Sequence, residues 1–191
     1  MDKELIFSKC NNLLEGLLLI KPDIFKDERG LFLESWNQLT FNNLIGKKID
    51  FVQDNFSYSY KNVLRGLHYQ KNPYAQGKLV RCSQGKVFDV AVDIRKNSST
   101  YGEWAGVILD SNSHNQFWIP EGYAHGFLVL SDFAGVNYKT TNSYSKKHES
   151  SIRWNDPTLA ISWNKEQANI ISSLKDKEAP LLKNLSPQEL F

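Results

Sequence analysis

The sequence predicts an all-β protein, built as a barrel or sandwich of short strands. Short β-like runs recur along the chain between turn residues, and aromatic residues make up 13% of its 191 positions, with five Trp among them. Helical periodicity is weak, so helices are expected only at the margins. A chain of this length is expected to form a single domain over residues 1–191 with a sizeable core.

The expected strands are short and evenly spaced. They cover residues 16–20, 30–36, 78–83, 86–94, 103–109, 116–119, 126–130 and 134–140. Gly85, Gly102 and the Pro-Glu-Gly sequence at 120–122 indicate turns between them. One helix is predicted over residues 37–44, and the tail after Ser172 is compatible with either a helix or a loop.

Residues 86–94 alternate strictly between two sets. The even-numbered positions from Phe88 to Ile94 are apolar, and we expect them to face the core. The other set contains Asp89 and Asp93, whose carboxylates need partners or water. We interpret both as members of structural ion pairs.

Charge and composition exclude several classes of protein. Lys and Arg total 23 against 21 Asp and Glu, and a net charge of +2 gives no general attraction for nucleic acid or an anionic membrane. No run approaches the roughly 20 apolar residues of a membrane span, and the start of the chain lacks a secretory signal, so we expect a cytoplasmic protein. Cys10 and Cys82 form no CxxC pair and are expected to be free thiols, neither a nucleophile.

Residues 63–70, VLRGLHYQ, place a cation, a glycine and an imidazole within four positions of a β-like run. Strand alternation predicts Arg65 on the face opposite to Gly66 and His68. A glycine beside the imidazole would leave open space for a ligand. Taken alone, however, a histidine on a strand is more often structural than functional.

A second unusual cluster, WIPEGYAHGF at residues 118–127, resembles the second half-motif of the cupin superfamily. There a turn built on Pro and Gly delivers a histidine, here His125, into the mouth of a barrel. Metal-binding cupins also carry a first motif with two closely spaced His and a Glu, whereas the first half-motif here offers only His68. No metal site is therefore expected.

Nine segments in consistent order resemble the dTDP-4-dehydrorhamnose 3,5-epimerase family. They are residues 27–34, 53–57, 63–70, 76–80, 89–95, 118–127, 138–139, 154–157 and 175–176. Each is weak evidence alone, but together they span nearly the whole chain. The resemblance implies a cupin-type double-stranded β-helix, or jelly-roll barrel, with short peripheral helices, and an isomerase that needs no metal or redox cofactor.

The implied reaction inverts C3 and C5 of dTDP-4-dehydro-6-deoxy-D-glucose and yields dTDP-4-dehydro-L-rhamnose, within dTDP-rhamnose biosynthesis. Both carbons flank the C4 ketone, so loss of either hydrogen gives an enolate with its charge on the C4 oxygen. Reprotonation from the other face then inverts the centre. Such chemistry needs a base, an acid on the opposite face, and a cation or donor at the oxyanion.

The resemblance assigns these roles to four residues. His68 is the base, and Asp176 pairs with its imidazole and stabilises the imidazolium. Tyr138 reprotonates from the opposite face, since a phenol held close to an enolate carbon can deliver a proton. Lys78 lies near the C4 oxygen, where a positive charge in a partly dry pocket is worth far more than in water.

Further residues are implied as substrate contacts. Arg65 is expected to clamp phosphate oxygens of the sugar nucleotide, and His125 to line the sugar or support His68. The other expected contacts are Gln53, Asn55, Tyr144 and Lys175.

The resemblance also implies a homodimer. Arg29, Phe32 and Glu34 match a segment that, in the family, reaches across the dimer into the neighbouring site. The alternative is an ordinary amphipathic strand, with Phe32 pointing inward and Glu34 outward.

Three other functions stay open from the sequence. The first is an epimerase acting on one centre, or a 3,4-ketoisomerase, since both share the enolate chemistry. The second is a cupin that binds a sugar nucleotide without catalysis and would show no solvent-proton exchange. The third is a metal-dependent cupin enzyme, which a chelator would inactivate.

Overall fold

The computed structural model describes residues 1–163 and 169–191. Two α-helices in these ranges are α1 (Gln38–Ile45) and α2 (Leu174–Lys177), and 3-10 turns cover Leu182–Asn184 and Pro187–Glu189. The strands are β1 (Asp2–Phe7), β2 (Leu13–Lys21), β3 (Phe25–Asp27), β4 (Gly30–Phe32), β5 (Gln53–Tyr60), β6 (Leu64–Gln70), β7 (Lys78–Gln84), β8 (Lys86–Asp93), β9 (Trp104–Asp110), β10 (Gln116–Ile119), β11 (Tyr123–Val129), β12 (Phe133–Thr140) and β13 (Glu149–Ser151). The expected all-β fold with short peripheral helices is confirmed.

Two antiparallel sheets make up the barrel. The six-stranded sheet has the order β1-β2-β10-β7-β12-β5, and the five-stranded sheet has the order β13-β6-β11-β8-β9. Strands β3 and β4 form a separate hairpin. Consecutive strands β7 and β8 lie in different sheets, as do β11 and β12, so the chain crosses repeatedly between the two walls, as a jelly roll requires.

Hydrophobic packing occurs on both sides of the five-stranded sheet. One cluster joins side chains of the two sheets, among them Val80, Val87 and Phe127. A second cluster packs the outer face of the five-stranded sheet against the C-terminal segment. It includes Val90 from the sheet and Trp154 from that segment. The C-terminal segment therefore covers a face that would otherwise meet water.

Strand β8 shows the consequence of this covering. Its residues from Val87 to Asp93 are all buried. The apolar set faces a core, as predicted, but that core is the outer one, and the set with both acids is buried between the sheets. The expected ion pair is confirmed for Asp93, which binds Arg95 at 2.7 Å. Asp89 instead forms a hydrogen bond with His125 at 2.8 Å.

Several boundaries differ from the expected ones. The strand expected at 30–36 ends at Phe32. Asn37 caps α1, its side chain accepting a hydrogen bond from the Thr40 N–H at 3.1 Å. Helix α1 otherwise matches its prediction. The tail after Ser172 forms α2, capped by Ser173. Strands β1 and β5 were not expected, since β5 is a polar edge strand and β1 has five exposed residues among its six.

Both cysteines are free thiols, as expected, with Cys10 exposed and Cys82 buried. Over the described ranges, no helix is both long and apolar enough to cross a membrane.

Candidate active site

A cavity of about 280 Å³ opens between the two sheets. Its walls come from both sheets and from the segment that leads into β13. The lining residues are Ser57, Arg65, His68, Tyr69, Gln70, Gln76, Lys78, His125, Phe127, Tyr138, Tyr144 and Glu149. Six of the expected site residues therefore share one cavity.

A bulge in β6 brings Arg65 and His68 to the same wall. In the pairing with β11, His68 lies opposite His125 and Arg65 lies opposite Phe127, so two residues of β6 correspond to one of β11. The prediction, made from strand alternation, that Arg65 lies on the face opposite His68 is therefore wrong. The extra residue reverses the phase of the strand between the two side chains.

Gly66 lies within this bulge at φ +129°, in a conformation that favours glycine. A Cβ there would lie 2.6 Å from the Gly126 Cα and 2.8 Å from the His125 carbonyl oxygen. The prediction of open space for a ligand beside Gly66 is thus wrong, because the backbone of β11 occupies that space. The glycine allows two backbones to approach each other, and that approach sets the position of His68.

His68 and Asp176 form the first of two histidine–carboxylate pairs, with 2.7 Å between Nε2 and Oδ1. The His68 side chain is 33% exposed and faces the cavity, whereas that of Asp176 is 4% exposed. Burial alone would raise the pKa of Asp176, but hydrogen bonds from His68 and from the Gly66 N–H outweigh it and hold that pKa below its usual value. The carboxylate is therefore kept ionised beside the imidazole.

Lys78 enters the cavity from β7 in the opposite sheet, and its Nζ donates to the His68 carbonyl oxygen at 3.1 Å. Burial lowers the pKa of Lys78 to about 8, against the opposing effect of the negative charges of Asp89 and Glu149. The ammonium form still dominates at neutral pH. An incompletely solvated cation of this kind gains most from an anion that forms beside it.

His125 and Asp89 form the second pair, with 2.8 Å between Nε2 and Oδ1. His125 is almost fully buried and Asp89 completely so. Burial lowers the pKa of His125, and the neighbouring Asp89 opposes that shift without overcoming it. The imidazole is therefore neutral at neutral pH, with Nε2 committed to the carboxylate.

Tyr138 lies on β12, in the sheet opposite His68. Burial raises its pKa, while the charge of Arg65 acts the other way, so the phenol keeps its proton at neutral pH. The Arg65 Nε donates to the Ser59 hydroxyl at 2.9 Å, which fixes the guanidinium near this wall. The cavity thus has an imidazole on one side and a phenol on the other.

The rim of the cavity is built around Tyr144. Its backbone N–H donates to the Gln53 side-chain oxygen at 2.9 Å, and its hydroxyl donates to Glu149 at 3.0 Å. Lys175 forms an ion pair with the same carboxylate at 2.6 Å. Gln53 also donates to the Asn55 side-chain oxygen at 2.8 Å, so these expected substrate contacts are held together at one edge.

The structure does not bring Arg29, Phe32 and Glu34 to this cavity. Arg29 pairs with Asp27 at 2.5 Å and is largely exposed. Phe32 is 67% exposed, so the alternative in which it points inward is wrong. These residues belong to the β3–β4 hairpin and the loop after it.

Sequence reasoning assigned no role to six lining residues, which are Ser57, Tyr69, Gln70, Gln76, Phe127 and Glu149. Five of them lie in segments that carried the family resemblance and could have been found there. Glu149 had no such signal, because it lies in the polar stretch NSYSKKHESS, without alternation or an apolar anchor. Over the part of the chain that the structure describes, no three His, Cys, Asp or Glu side chains are grouped to hold a metal ion.

A jelly-roll barrel in which a histidine, paired with a buried aspartate, faces a buried lysine and a tyrosine across a cavity has the architecture of a cupin-type enzyme working by acid–base chemistry. The model of the dTDP-4-dehydrorhamnose 3,5-epimerase family matches residues 11–184. The chain belongs to this family, which makes it an isomerase. The expected family and fold are confirmed.

Relatives agree with this assignment. The dTDP-4-dehydrorhamnose 3,5-epimerase of Salmonella typhimurium is 57% identical over 88% of this chain and 92% of its own. The crystal structure of the Legionella pneumophila dTDP-6-deoxy-D-glucose-3,5-epimerase, in complex with dTDP-4-keto-L-rhamnose, is 46% identical with a TM-score of 0.91, covering 99% of this chain and 97% of that one. A 3'-monoepimerase from Streptomyces bikiniensis in complex with dTDP-quinovose is 32% identical with a TM-score of 0.82, covering 88% of this chain and 85% of that one.

Proposed function

We propose that the chain epimerises dTDP-4-dehydro-6-deoxy-D-glucose at C3 and C5 to give dTDP-4-dehydro-L-rhamnose. The observation that carries this proposal is the opposition of His68, paired with Asp176, and Tyr138 across one cavity. Inversion of a carbon requires removal of a proton from one face and its return to the other. A base and an acid on facing sheets satisfy that requirement.

The reaction proceeds by the same steps at each centre. The neutral His68 imidazole takes the proton from C3 or C5, and the C–H electron pair moves into the enolate, whose charge rests on the C4 oxygen. Lys78 supplies the positive charge that stabilises this oxyanion. The enolate returns to the ketone as its carbon takes the proton of the Tyr138 hydroxyl on the opposite face. Asp176 stabilises the imidazolium until His68 gives its proton to solvent, and solvent returns a proton to the Tyr138 phenolate before the second centre reacts.

The diphosphate of the substrate is held by local charge, since the net charge of the chain is only +2. Arg65 lies on the cavity wall and Lys175 at its rim, and their cations can pair with phosphate oxygens. Tyr144, 54% exposed at the same rim, offers a ring on which a nucleotide base can stack. Polar groups of Gln53 and Asn55 complete this edge.

The experiment is to incubate the protein with dTDP-4-dehydro-6-deoxy-D-glucose in deuterium oxide and to follow the C3 and C5 proton signals by NMR. Loss of both signals is expected for the native protein and for His114→Asn. Position 114 is a matched control, because it is buried outside the cavity and its φ of 53° suits asparagine. His68→Asn should exchange neither, and exchange at the native rate in that variant would refute the role of His68.

A single-centre epimerase is the second candidate, because the chain is also similar to a 3'-monoepimerase. The same spectra decide between the two. Loss of only the C3 or only the C5 signal assigns the chain to single-centre chemistry. No exchange at either carbon, despite binding of the sugar nucleotide, leaves a binding protein.

We also propose that the protein is a cytoplasmic homodimer. In this dimer the β3–β4 hairpin of one subunit and the loop after it complete the active site of the other subunit. Phe25, Leu31 and Phe32 are exposed on this hairpin, which is unfavourable for a surface that meets water. Arg29 and Glu34 lie beside them and would supply polar contacts to the substrate. We propose that a second copy of the chain covers this exposed apolar surface.

Mixing two inactive variants tests the shared site. His68→Asn and Arg29→Ala homodimers should each have low activity, since one lacks the base and the other lacks the guanidinium that the hairpin supplies to the partner's site. After subunit exchange, half of the dimers are mixed and each contains one intact site, so about a quarter of native activity should return. No recovery, or a monomer by light scattering, contradicts the proposal.

A further inference from the structure

We propose that Gln70 is a positioning residue, whose buried amide ties the strand of the base to the segment that follows the strand of the acid and thereby sets the spacing between His68 and Tyr138. The inference rests on the proposed function. It concerns the return of the proton to the sugar carbon, not the binding of the nucleotide. Gln70 ends β6, two residues after His68, and is only 3% exposed.

The base and the acid stand on different sheets. His68 lies on β6 of the five-stranded sheet, and Tyr138 lies on β12 of the six-stranded sheet. Strands of different sheets share no ladder of backbone hydrogen bonds, so side chains must fix the width of the gap between them. At the rim of the cavity β6 ends at Gln70, β12 ends at Thr140, and the chain continues from there through residues 141–148.

The amide of Gln70 spans this gap. Its Nε2 donates to the Ser143 carbonyl oxygen at 3.1 Å, and its Oε1 accepts from the Ser145 N–H at 2.6 Å. Nε2 also donates to the Tyr74 carbonyl oxygen at 2.7 Å, in the segment that leads to Lys78 at the start of β7. Both amide hydrogens and the oxygen are therefore used, and all three partners are backbone groups, which cannot move without their segments.

Further hydrogen bonds join the two segments that Gln70 touches. The Gln76 Nε2 donates to the Asn142 carbonyl oxygen at 2.7 Å, and the Asn142 side chain donates to the Pro73 carbonyl oxygen at 3.2 Å. A displacement at Gln70 would therefore reach the start of β7 and the end of β12 together. These strand ends carry the oxyanion-stabilising lysine and the acid.

An amide is the side chain that fits this position. It offers two donors to two carbonyl oxygens and one acceptor to an N–H, whereas an ionised Glu at position 70 would bring a negative charge to both carbonyls and donate to neither. Met at the same position would leave all three backbone groups without this partner. Because unpaired buried polar groups are unfavourable, the segments would move apart until water reached them.

The spacing matters at one step of the proposed reaction. The enolate carbon either takes the Tyr138 proton on the far face and inverts, or takes a proton back from the His68 imidazolium and keeps its configuration. In deuterium oxide the imidazolium, on a side chain that is 33% exposed, can exchange its proton with solvent first, so its return forms a C–D bond without inversion. Since Arg65 holds the substrate to the same wall as His68, a wider gap takes Tyr138 away from the carbon and favours retention.

The test is the ratio of exchange with retention to inversion at each carbon. It is measured from initial rates by NMR in deuterium oxide with dTDP-4-dehydro-6-deoxy-D-glucose, for the native protein, Gln70→Met and Gln70→Glu. Gln116→Met is the matched control. Gln116 is also 3% exposed and donates its amide to a backbone carbonyl, that of Ser35 at 2.9 Å, but it does not line the cavity.

Both Gln70 variants should raise the ratio about tenfold or more and lower kcat by a similar factor, since a misplacement of about 1 Å can cost on the order of 10²-fold in rate. Gln116→Met should keep the native ratio. A loss of folded protein cannot imitate the effect, because it lowers both rates equally and leaves their ratio unchanged. If Gln70→Met does not fold, Gln70→Asn takes its place and should show the same rise, because its amide is one methylene shorter.

A native ratio in Gln70→Met, or a raised ratio in Gln116→Met as well, would overturn the inference. A rise in Gln70→Met that Gln70→Glu does not share would overturn the role of the two amide donors. A native protein that neither exchanges nor inverts the sugar refutes the proposed reaction, and the inference with it. Native turnover combined with an unchanged ratio in the variants removes only the positioning role.

Discussion

The two histidine–carboxylate pairs are alike in geometry and opposite in surroundings. The Nε2–Oδ1 distance is 2.7 Å for His68 with Asp176 and 2.8 Å for His125 with Asp89, and the two histidines lie opposite each other on neighbouring strands. The His68 side chain is 33% exposed, whereas that of His125 is 8% exposed. The His68 imidazole is therefore the more accessible of the two to a ligand in the cavity and to solvent.

If His68 is the base, as proposed, then exposure separates the catalytic pair from the supporting one, because both histidines have a carboxylate partner. His125 is kept neutral by burial, so it cannot readily store a proton during turnover. Asp89 serves a second group instead, because its negative charge opposes the loss of the proton from Lys78. In the proposed mechanism, the buried His125–Asp89 pair helps to keep Lys78 charged, and the His68–Asp176 pair moves protons.

The largest expected effect is that of Asp176→Asn. The amide cannot stabilise an imidazolium and favours the wrong tautomer, so kcat should fall by about 10²–10³-fold with little change in KM. Steady-state kinetics with the 4-keto sugar measure it. A loss of less than about threefold would remove Asp176 from the mechanism, given that general-base catalysis contributes about 10²-fold or more.

The same substitution at the buried His125–Asp89 pair, Asp89→Asn, should act mainly on stability. It leaves the buried ammonium of Lys78 with less compensating charge, and the free energy of unfolding should fall by about 3 kcal/mol. Denaturant unfolding measures that change, and kcat at pH 7 should drop no more than about tenfold. A larger loss of kcat than in Asp176→Asn would reverse the roles assigned to the two pairs.

A pH effect of Lys78 is the third prediction. With a pKa of about 8, Lys78 loses its positive charge, and with it the stabilisation of the oxyanion, as the pH rises through 8. The value of kcat/KM should therefore decline above pH 8. Asp89→Asn should move this decline to lower pH, because a charge that raises the pKa of Lys78 is gone. A profile that is flat to pH 9.5 in the native protein would contradict the assignment.

The smallest expected effect is the pH dependence of the unfolding free energy above pH 8. The folded pKa of Lys78 is below its ordinary value of 10.5, so between pH 8 and 10.5 the unfolded chain binds more protons at this site. The contribution of Lys78 to stability therefore rises with pH while activity falls. The difference in unfolding free energy between the native protein and Lys78→Met should show that slope, and an opposite slope would mean that Lys78 is not buried as a cation.

Local sequence was sufficient for the framework of the barrel. Alternation and turn residues located most of the central strands, and the helix predicted at residues 37–44 matches α1 to within one residue. The expected strand at 116–119 matches β10. These features depend on neighbours in sequence, which is why a pattern can indicate them.

Long-range assembly decided the rest. Asp176 reaches His68 across 108 positions of sequence, and family resemblance, not pattern, indicated that pair. The covering of β8 by the C-terminal segment buried both of its faces, so alternation could not tell which set lay inside the barrel.

By itself, the sequence determined the family, the β-rich class and six of the twelve residues that line the cavity. Only the tertiary structure decided that Arg65 shares a wall with His68 and that Glu149 joins Tyr144 to Lys175. The bulge in β6 depends on the close approach of two glycines on neighbouring strands, and Glu149 lies in a stretch without periodicity. Both are set by contacts between distant segments, which a local pattern does not contain.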